Sequence, residues 1–292
     1  MKYIPLALVL LIFLSCKQDS ETLKTTDKED LQVVNPVARD HTKTSDLDIK
    51  PLDKSISIEL KQQQLIEKED EIEELNDLII NKTYIVDKKD YSINFNYPLL
   101  NENLQPKYRN FNEFIEAYYV NISQTEKDII ESKLLCDSIA AKSFREERLI
   151  DYKVYNVNDR LLSLLFYKEN FYSGAMHPVY SFDCFNYDLE TGVFMSYEDF
   201  FASDSEVELI QIINETINKS IREGDIYYDC WEIASTDFLE QKNNFVFNDD
   251  IVEFYFDDCV ICPSYTGTYS VTLELTDLIS VLRKYHTNPL EI

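Results

Sequence analysis

Glycine and proline are scarce, four and eight among 292 residues, which excludes collagen-like and Gly/Pro-rich low-complexity chains. Histidine occurs only three times, at His41, His177 and His286, so a histidine-rich metal centre is not expected. Positive charge is the other shortage. Against 54 acidic residues stand 28 Lys and Arg, giving a formal net charge of -26. That balance repels phosphate backbones and argues against nucleic-acid binding. No nucleophile elbow, phosphate-cradling glycine loop or metalloprotease helix is present, and no cofactor or metal is expected. What is abundant is apolar and aromatic: 45% hydrophobic residues, with 20 Tyr and 17 Phe. This is enough for a real core and favours sheets, in one large domain or two small ones.

The N-terminus reads as an address. Residues 1–16 carry a basic start at Lys2, an apolar run from Tyr3 to Leu14, then Ser15 and Cys16, a stretch too short to span a bilayer. Phe13-Leu14-Ser15-Cys16 resembles a bacterial lipobox, which makes Cys16 the expected lipidation site and the new N-terminus. Lys17-Gln18-Asp19-Ser20-Glu21 resembles the charged export tags of Bacteroidetes surface lipoproteins. The expected location is the bacterial cell envelope, as an outer-membrane lipoprotein on its periplasmic or surface face, with membrane contact through the lipid anchor only. Residues 17–55, rich in Asp, Lys, Thr and Ser, read as a disordered acidic linker. Across residues 56–81, Ile58, Leu65, Ile72 and Ile79 recur every seven positions with Leu75 as companion, the pattern of an amphipathic helix. Lys61 and Lys68 occupy would-be core positions, so a docked helix or a stalk fits better than a stable coiled coil, and a monomer is expected.

The body alternates period-two and helical patterns. Tyr84–Val86 and Tyr91–Tyr97 read as a strand pair that Pro98 stops. Helical spacing follows at Phe111, Phe114, Ile115 and Tyr118, and again from about Glu126 to Arg148. Leu149–Val157, Leu161–Phe171 and Val179–Leu189 form an expected antiparallel meander turning at Glu190-Thr191-Gly192. Ser203–Arg222 places Val207, Ile210, Ile213, Ile217 and Ile221 on one helix face, with Gly224 ending it. Strands at Phe245–Phe247, Ile251–Phe256 and Tyr269–Leu275 precede a last helix from Asp277, capped by Thr276. The fold class is α+β: antiparallel sheets with packed helices in two abutting lobes, 82–165 and 166–292.

The run Phe171-Tyr172-Ser173-Gly174-Ala175-Met176-His177-Pro178, then Phe185 to Gly192 and Tyr197-Glu198-Asp199-Phe200-Phe201, resembles the signature of the RsiV-like C-terminal domain (domain of unknown function 3298). Phe245 to Asp250, Glu253 to Phe256, Pro263, Tyr265 and Gly267 are similar to that family's closing strands. Ile93 to Leu99 looks like its companion domain (domain of unknown function 4163). Ala175 and Met176 replace the usual glycine and alanine, and Cys259 and Cys262 stand where tyrosine and alanine are common. The resemblance implies a cell-envelope module of the kind found in a lysozyme-binding anti-sigma factor and appended to some peptidoglycan deacetylases.

Tyr172, Ser173, Gly174, His177 and Pro178 are therefore the candidate binding loop. His177 can be a ligand contact or a ring that ties the loop to backbone, the structural reading being preferred. Gly174 supplies either a backbone conformation or a close approach that a side chain would block. Besides Cys16 the chain keeps an odd number of cysteines in an oxidising compartment, so at least one thiol is left over. A structural disulfide joining Cys230 to Cys259 or Cys262 is preferred to a redox role for the Cys259-Val260-Ile261-Cys262 spacing. The acid pairs Asp249-Asp250 and Asp257-Asp258 could serve glycosidase chemistry if they faced one cavity, but adjacent turn acids are more often solvated. The expected function is a non-enzymatic, lipid-anchored envelope protein that binds lysozyme-type muramidases or another basic protein. The alternative is binding or hydrolysis of peptidoglycan or polysaccharide, with Phe171, Tyr172, Tyr180 and Tyr187 as candidate stacking rings.

Overall fold

The computed structural model describes residues 77–138, 143–157 and 160–283. The signal peptide, Cys16, the linker, His41, His286 and all but the last residues of the segment 56–81 lie outside the described residues. Among the described residues no helix is long and apolar enough to cross a membrane.

Six strands form a mixed sheet in chain order: β1 (Ile79–Asp87), β2 (Tyr91–Leu100), β3 (Glu146–Val157), β4 (Leu161–Phe171), β5 (Val179–Asp188) and β6 (Val193–Met195). All neighbours are antiparallel except β2 and β3, which pair in parallel from Tyr91↔Glu146 to Phe95↔Ile150. A parallel pair needs a crossover, and helices supply it: α1 (Arg109–Phe114), continued by a π-helical turn (Ile115–Val120), and α2 (Ile122–Ser138). Asn121, at φ +35, joins the two.

β4 is the centre of the molecule, and Leu161-Leu162-Ser163-Leu164-Leu165-Phe166-Tyr167 is buried throughout. Leu162, Leu164 and Phe166 face the helical layer with Phe111, Ile115 and Ile129. Leu165 and Tyr167 face a second sheet. Burial on both faces is why this strand reads as a continuous apolar run. The one polar residue between Leu161 and Phe166, Ser163, donates to Asn186 Oδ1 at 2.7 Å and accepts from Phe247 N at 3.2 Å, so its hydroxyl is not stranded.

The second sheet is antiparallel: β7 (Phe245–Phe247), β8 (Ile251–Tyr255) and β9 (Ser270–Glu274). α3 (Tyr197–Phe200), α4 (Glu206–Glu223) and α5 (Ser235–Gln241) accompany it. α4 buries Leu209, Ile213 and Ile217 against Phe238, Phe254 and Leu273. β6 covers only Asn186–Asp188 of β5. Upstream the β5 margin is capped by Asn244, which accepts from Cys184 N at 2.7 Å and donates to Phe182 O at 2.8 Å and Tyr255 O at 3.1 Å. One amide side chain thereby joins the two sheets.

The α+β class holds, and several local expectations are corrected. Ile79, last in the heptad series, begins β1 and pairs with Leu100. Pro98 lies inside β2. Leu100 N turns away from β1 to Asn112 Oδ1; the position of Pro98 has the same parity, and β3 does not extend that far, so its missing N–H costs no ladder bond. Glu146, Glu147 and Arg148 are strand, not helix end. Val207 is 69% exposed and Leu209 takes its place on the buried face. Gly224 does end α4, at φ +82. In place of a helix from Asp277 there is a 3-10 turn, Leu275–Leu278, with Thr276 inside it. The sequence boundary between 165 and 166 falls within β4, so the large sheet runs through both lobes.

Candidate functional site

The candidate loop crosses from β4 to β5 at one end of the large sheet. The β1–β2 turn and the start of β3 lie at the same end, because β2 and β3 both begin there while β4 finishes there. Arg145 ties the three together: its guanidinium donates to Lys88 O at 3.0 Å and reaches Asp87 and Glu147, while its backbone N–H donates to Ser173 Oγ at 3.4 Å.

Beneath the loop, Arg148 and Glu146 form an ion pair with both side chains at least nine-tenths buried. Arg148 also donates to the carbonyls of Glu147 and Phe171, each at 3.1 Å. Its guanidinium carbon lies 4.3 Å from the centroid of the Tyr172 ring, a stacking arrangement that fixes that ring. A charge this deep persists because every fork of the guanidinium finds an acceptor or a ring. Tyr172 stays nearly half exposed above it.

The loop itself is short and outward-facing. Ala175 N donates to Tyr172 O at 3.0 Å, closing a turn that Gly174 completes at φ +85. A methyl group added at Gly174 would meet nothing within 4 Å, so the glycine answers to conformation and not to close approach. His177 is exposed, with Nδ1 3.1 Å from Pro178 O; the Nδ1-protonated ring donates to that carbonyl. Met176 is 97% exposed and Val179 half exposed. Tyr172, Met176 and Val179 thus place three large apolar side chains in solvent on one loop, held on a rigid charged base.

The other sequence candidates separate. Cys230 and Cys262 form a disulfide, while Cys259 lies outside it with Sγ 3.1 Å from Ser264 Oγ. Asp249-Asp250 and Asp257-Asp258 bracket β8 at its two ends, roughly 20 Å apart along an extended chain. Asp257 is raised above the usual carboxylate range by desolvation and by the nearby charges of Asp183 and Asp258. Among the described residues no group of three His, Cys, Asp or Glu side chains could hold a metal ion. Of the candidate stacking rings, Tyr187 is buried in the core against Phe111 and Phe194. It is a packing residue, because β5 turns that side toward the helices.

Sequence reasoning missed the Arg148–Glu146 pair and a second polar seam between the sheets. There Tyr155 Oη donates to Glu253 at 2.8 Å and therefore accepts from Tyr255 Oη at 2.7 Å, while Ser270 donates to the same carboxylate at 2.6 Å. Burial and the Glu253 charge push both tyrosines well up. Only the odd tyrosine-glutamate alternation of Glu253 and Tyr255 hinted at this seam.

No family model matches the chain. The chain is 25% identical over 209 residues to the peptidoglycan-N-acetylmuramic acid deacetylase PdaC of Bacillus subtilis, a match spanning 70% of this chain but 42% of that protein. A DUF3298 family protein from Pseudomonas aeruginosa aligns at 13% identity over 70% of this chain and 93% of its own, with a TM-score of 0.48. A crystal structure of a DUF3298 family member from Bacteroides fragilis aligns at 16% identity over 70% of this chain and 94% of its own, with a TM-score of 0.53. The described body thus shares the fold of the Bacteroides fragilis member of the DUF3298 family.

Proposed function

We propose that the protein is a non-enzymatic lipoprotein of the cell envelope, anchored through Cys16, whose body captures a basic cell-wall-associated or host protein. Lysozyme-type muramidases are the first candidate class. The observation that carries this reading is the loop of Tyr172, Met176 and Val179, which offers apolar side chains to solvent from a base fixed by Arg145 and the Arg148–Glu146 pair. Exposed anchors on a rigid support are what protein recognition uses. The net charge of -26 adds long-range attraction for a cationic partner. The separation of the two acid pairs favours binding over hydrolysis.

Titration of the full chain with hen egg-white lysozyme tests this reading. Association at low ionic strength that weakens with salt is expected, and Met176→Asp should weaken it by about tenfold, the loss of one buried anchor of ordinary size. No association even at low ionic strength would sink the lysozyme version. The anchor is tested separately: Cys16→Ser should abolish fatty-acid labelling and move the protein to the soluble fraction.

A glycan-directed role is the second reading, favoured by the peptidoglycan for which the Bacillus subtilis relative is named, a protein of whose length this chain spans 42%. Sedimentation with purified peptidoglycan separates it from the first. Its weakness is that Tyr187 is buried and one face of Tyr172 is taken by Arg148.

A further inference from the structure

Among the described residues β1 forms one margin of the large sheet and pairs only with β2. Asn101 N donates to Leu78 O and Lys88 N to Tyr91 O, so the even-numbered residues of β1 spend their backbone groups on β2. The N–H and C=O groups of Ile79, Asn81, Thr83, Ile85 and Asp87 point out of the sheet. Margins of this kind are usually blunted by shortness, proline, a bulge or clustered charge. β1 has nine residues, no proline, an unbroken register, and Ile80 and Ile85 exposed. α2 flanks the same margin, since Tyr84 Oη and Lys88 Nζ both reach Glu126, and it exposes Ile130 and Leu134.

The outward row is self-complementary. A two-fold axis at Thr83 sets Ile79 of one copy opposite Asp87 of the other, Asn81 opposite Ile85 and Thr83 opposite Thr83, each a hydrogen-bonded position. Between them Lys82 of one copy faces Tyr84 of the other, whose hydroxyl donates to Glu126 at 3.3 Å. Lys82 forms no ion pair among the described residues, and this register brings it a carboxylate. No like charges stand directly opposite. We propose that β1 is a dimerisation edge at which two copies pair antiparallel about Thr83 into one continuous sheet, with Ile130 and Leu134 of both α2 helices flanking the seam. The monomer expected from the heptad segment concerned a different element. Both copies are strongly acidic, so the dimer tightens as salt screens their repulsion, the reverse of the salt dependence of capturing a basic partner.

Sedimentation equilibrium of the chain from Lys17 to Ile292, across micromolar concentrations and at two salt levels, tests the proposal. A single-copy to two-copy equilibrium that shifts toward the dimer with salt is expected. Thr83→Pro removes an outward N–H and leaves the β2 ladder intact; it should raise the dissociation constant roughly tenfold or more, through two symmetry-related hydrogen bonds. Lys82→Glu, at an exposed position, should do the same by opposing Glu126, and covers the case in which the proline variant fails to fold. A wild-type chain of one copy under all conditions, or a dimer indifferent to both variants, overturns the proposal. A monomer that dimerises only when residues 56–76 are deleted overturns it too, by showing that this chain's own segment holds the edge.

Discussion

Gly174 and Arg148 show what a single residue contributes beneath the loop. At φ +85 with open space around the position, Gly174→Ala should cost about 1 kcal/mol of backbone strain without a clash. Urea denaturation should register that loss, and Gly174→Asn should recover part of it because asparagine tolerates the left-handed region. Arg148→Met is harsher. It leaves Glu146 buried without its partner and removes the support of Tyr172, so a loss of about 3–5 kcal/mol is expected. The double variant Arg148→Met, Glu146→Leu should recover much of it, measured by the same denaturation. Gly174 was legible in the sequence because glycine is scarce and this one stands within the Phe171–Pro178 run that carries the family resemblance. Arg148 was not, because Phe-Arg-Glu-Glu-Arg reads as a solvated helix end, and only pairing with β4, with Arg148 opposite Asn170, buries it.

At the scale of elements, α2 and the β7–β9 sheet depend on contacts far apart in sequence. Glu126 on α2 is held below the usual glutamate range, first by the Tyr91 hydroxyl and then by Lys88 and Tyr84. Its folded value lies below the unfolded one, so its stabilising effect is present above the unfolded value and is lost as pH falls through the folded one. Glu126→Gln should flatten the acid side of the stability-versus-pH curve, and an unchanged curve would contradict this role. Asp257 works in the opposite sense: its raised value means the folded state gains relative stability as pH falls from the raised value toward the unfolded one. The Cys230–Cys262 bridge closes a loop with a sequence separation of 32. Its reduction should cost about 3–4 kcal/mol on loop-closure grounds, read as a lower denaturation midpoint in reductant. Strand β4 was legible from its apolar run and β5 from the alternation of aromatic and polar residues. The parallel β2–β3 pairing was not, since nothing in either strand records its orientation and only the helical crossover between them requires it. Pro98 misled for a similar reason: its cost depends on whether a neighbour occupies that side of β2.

For the whole molecule, charge and topology set what it can meet. Two sheets meet at the Tyr155–Glu253–Tyr255 seam and at Asn244, which ties the second sheet to the large one. The candidate loop was legible as an ordered set of residues, whereas its rigid base was assembled by tertiary pairing. The proposed cell-wall role rests on the PdaC likeness, and the proposed class of partner on charge and the exposed loop. The most direct measurement is calorimetric titration of the full chain with hen egg-white lysozyme at low and high ionic strength, for the wild type and for Met176→Asp. The account predicts saturable binding that weakens with salt and weakens again in the variant. Absence of binding at low salt, or binding that Met176→Asp leaves untouched, would contradict the assignment of the Tyr172–Val179 loop as the capture surface.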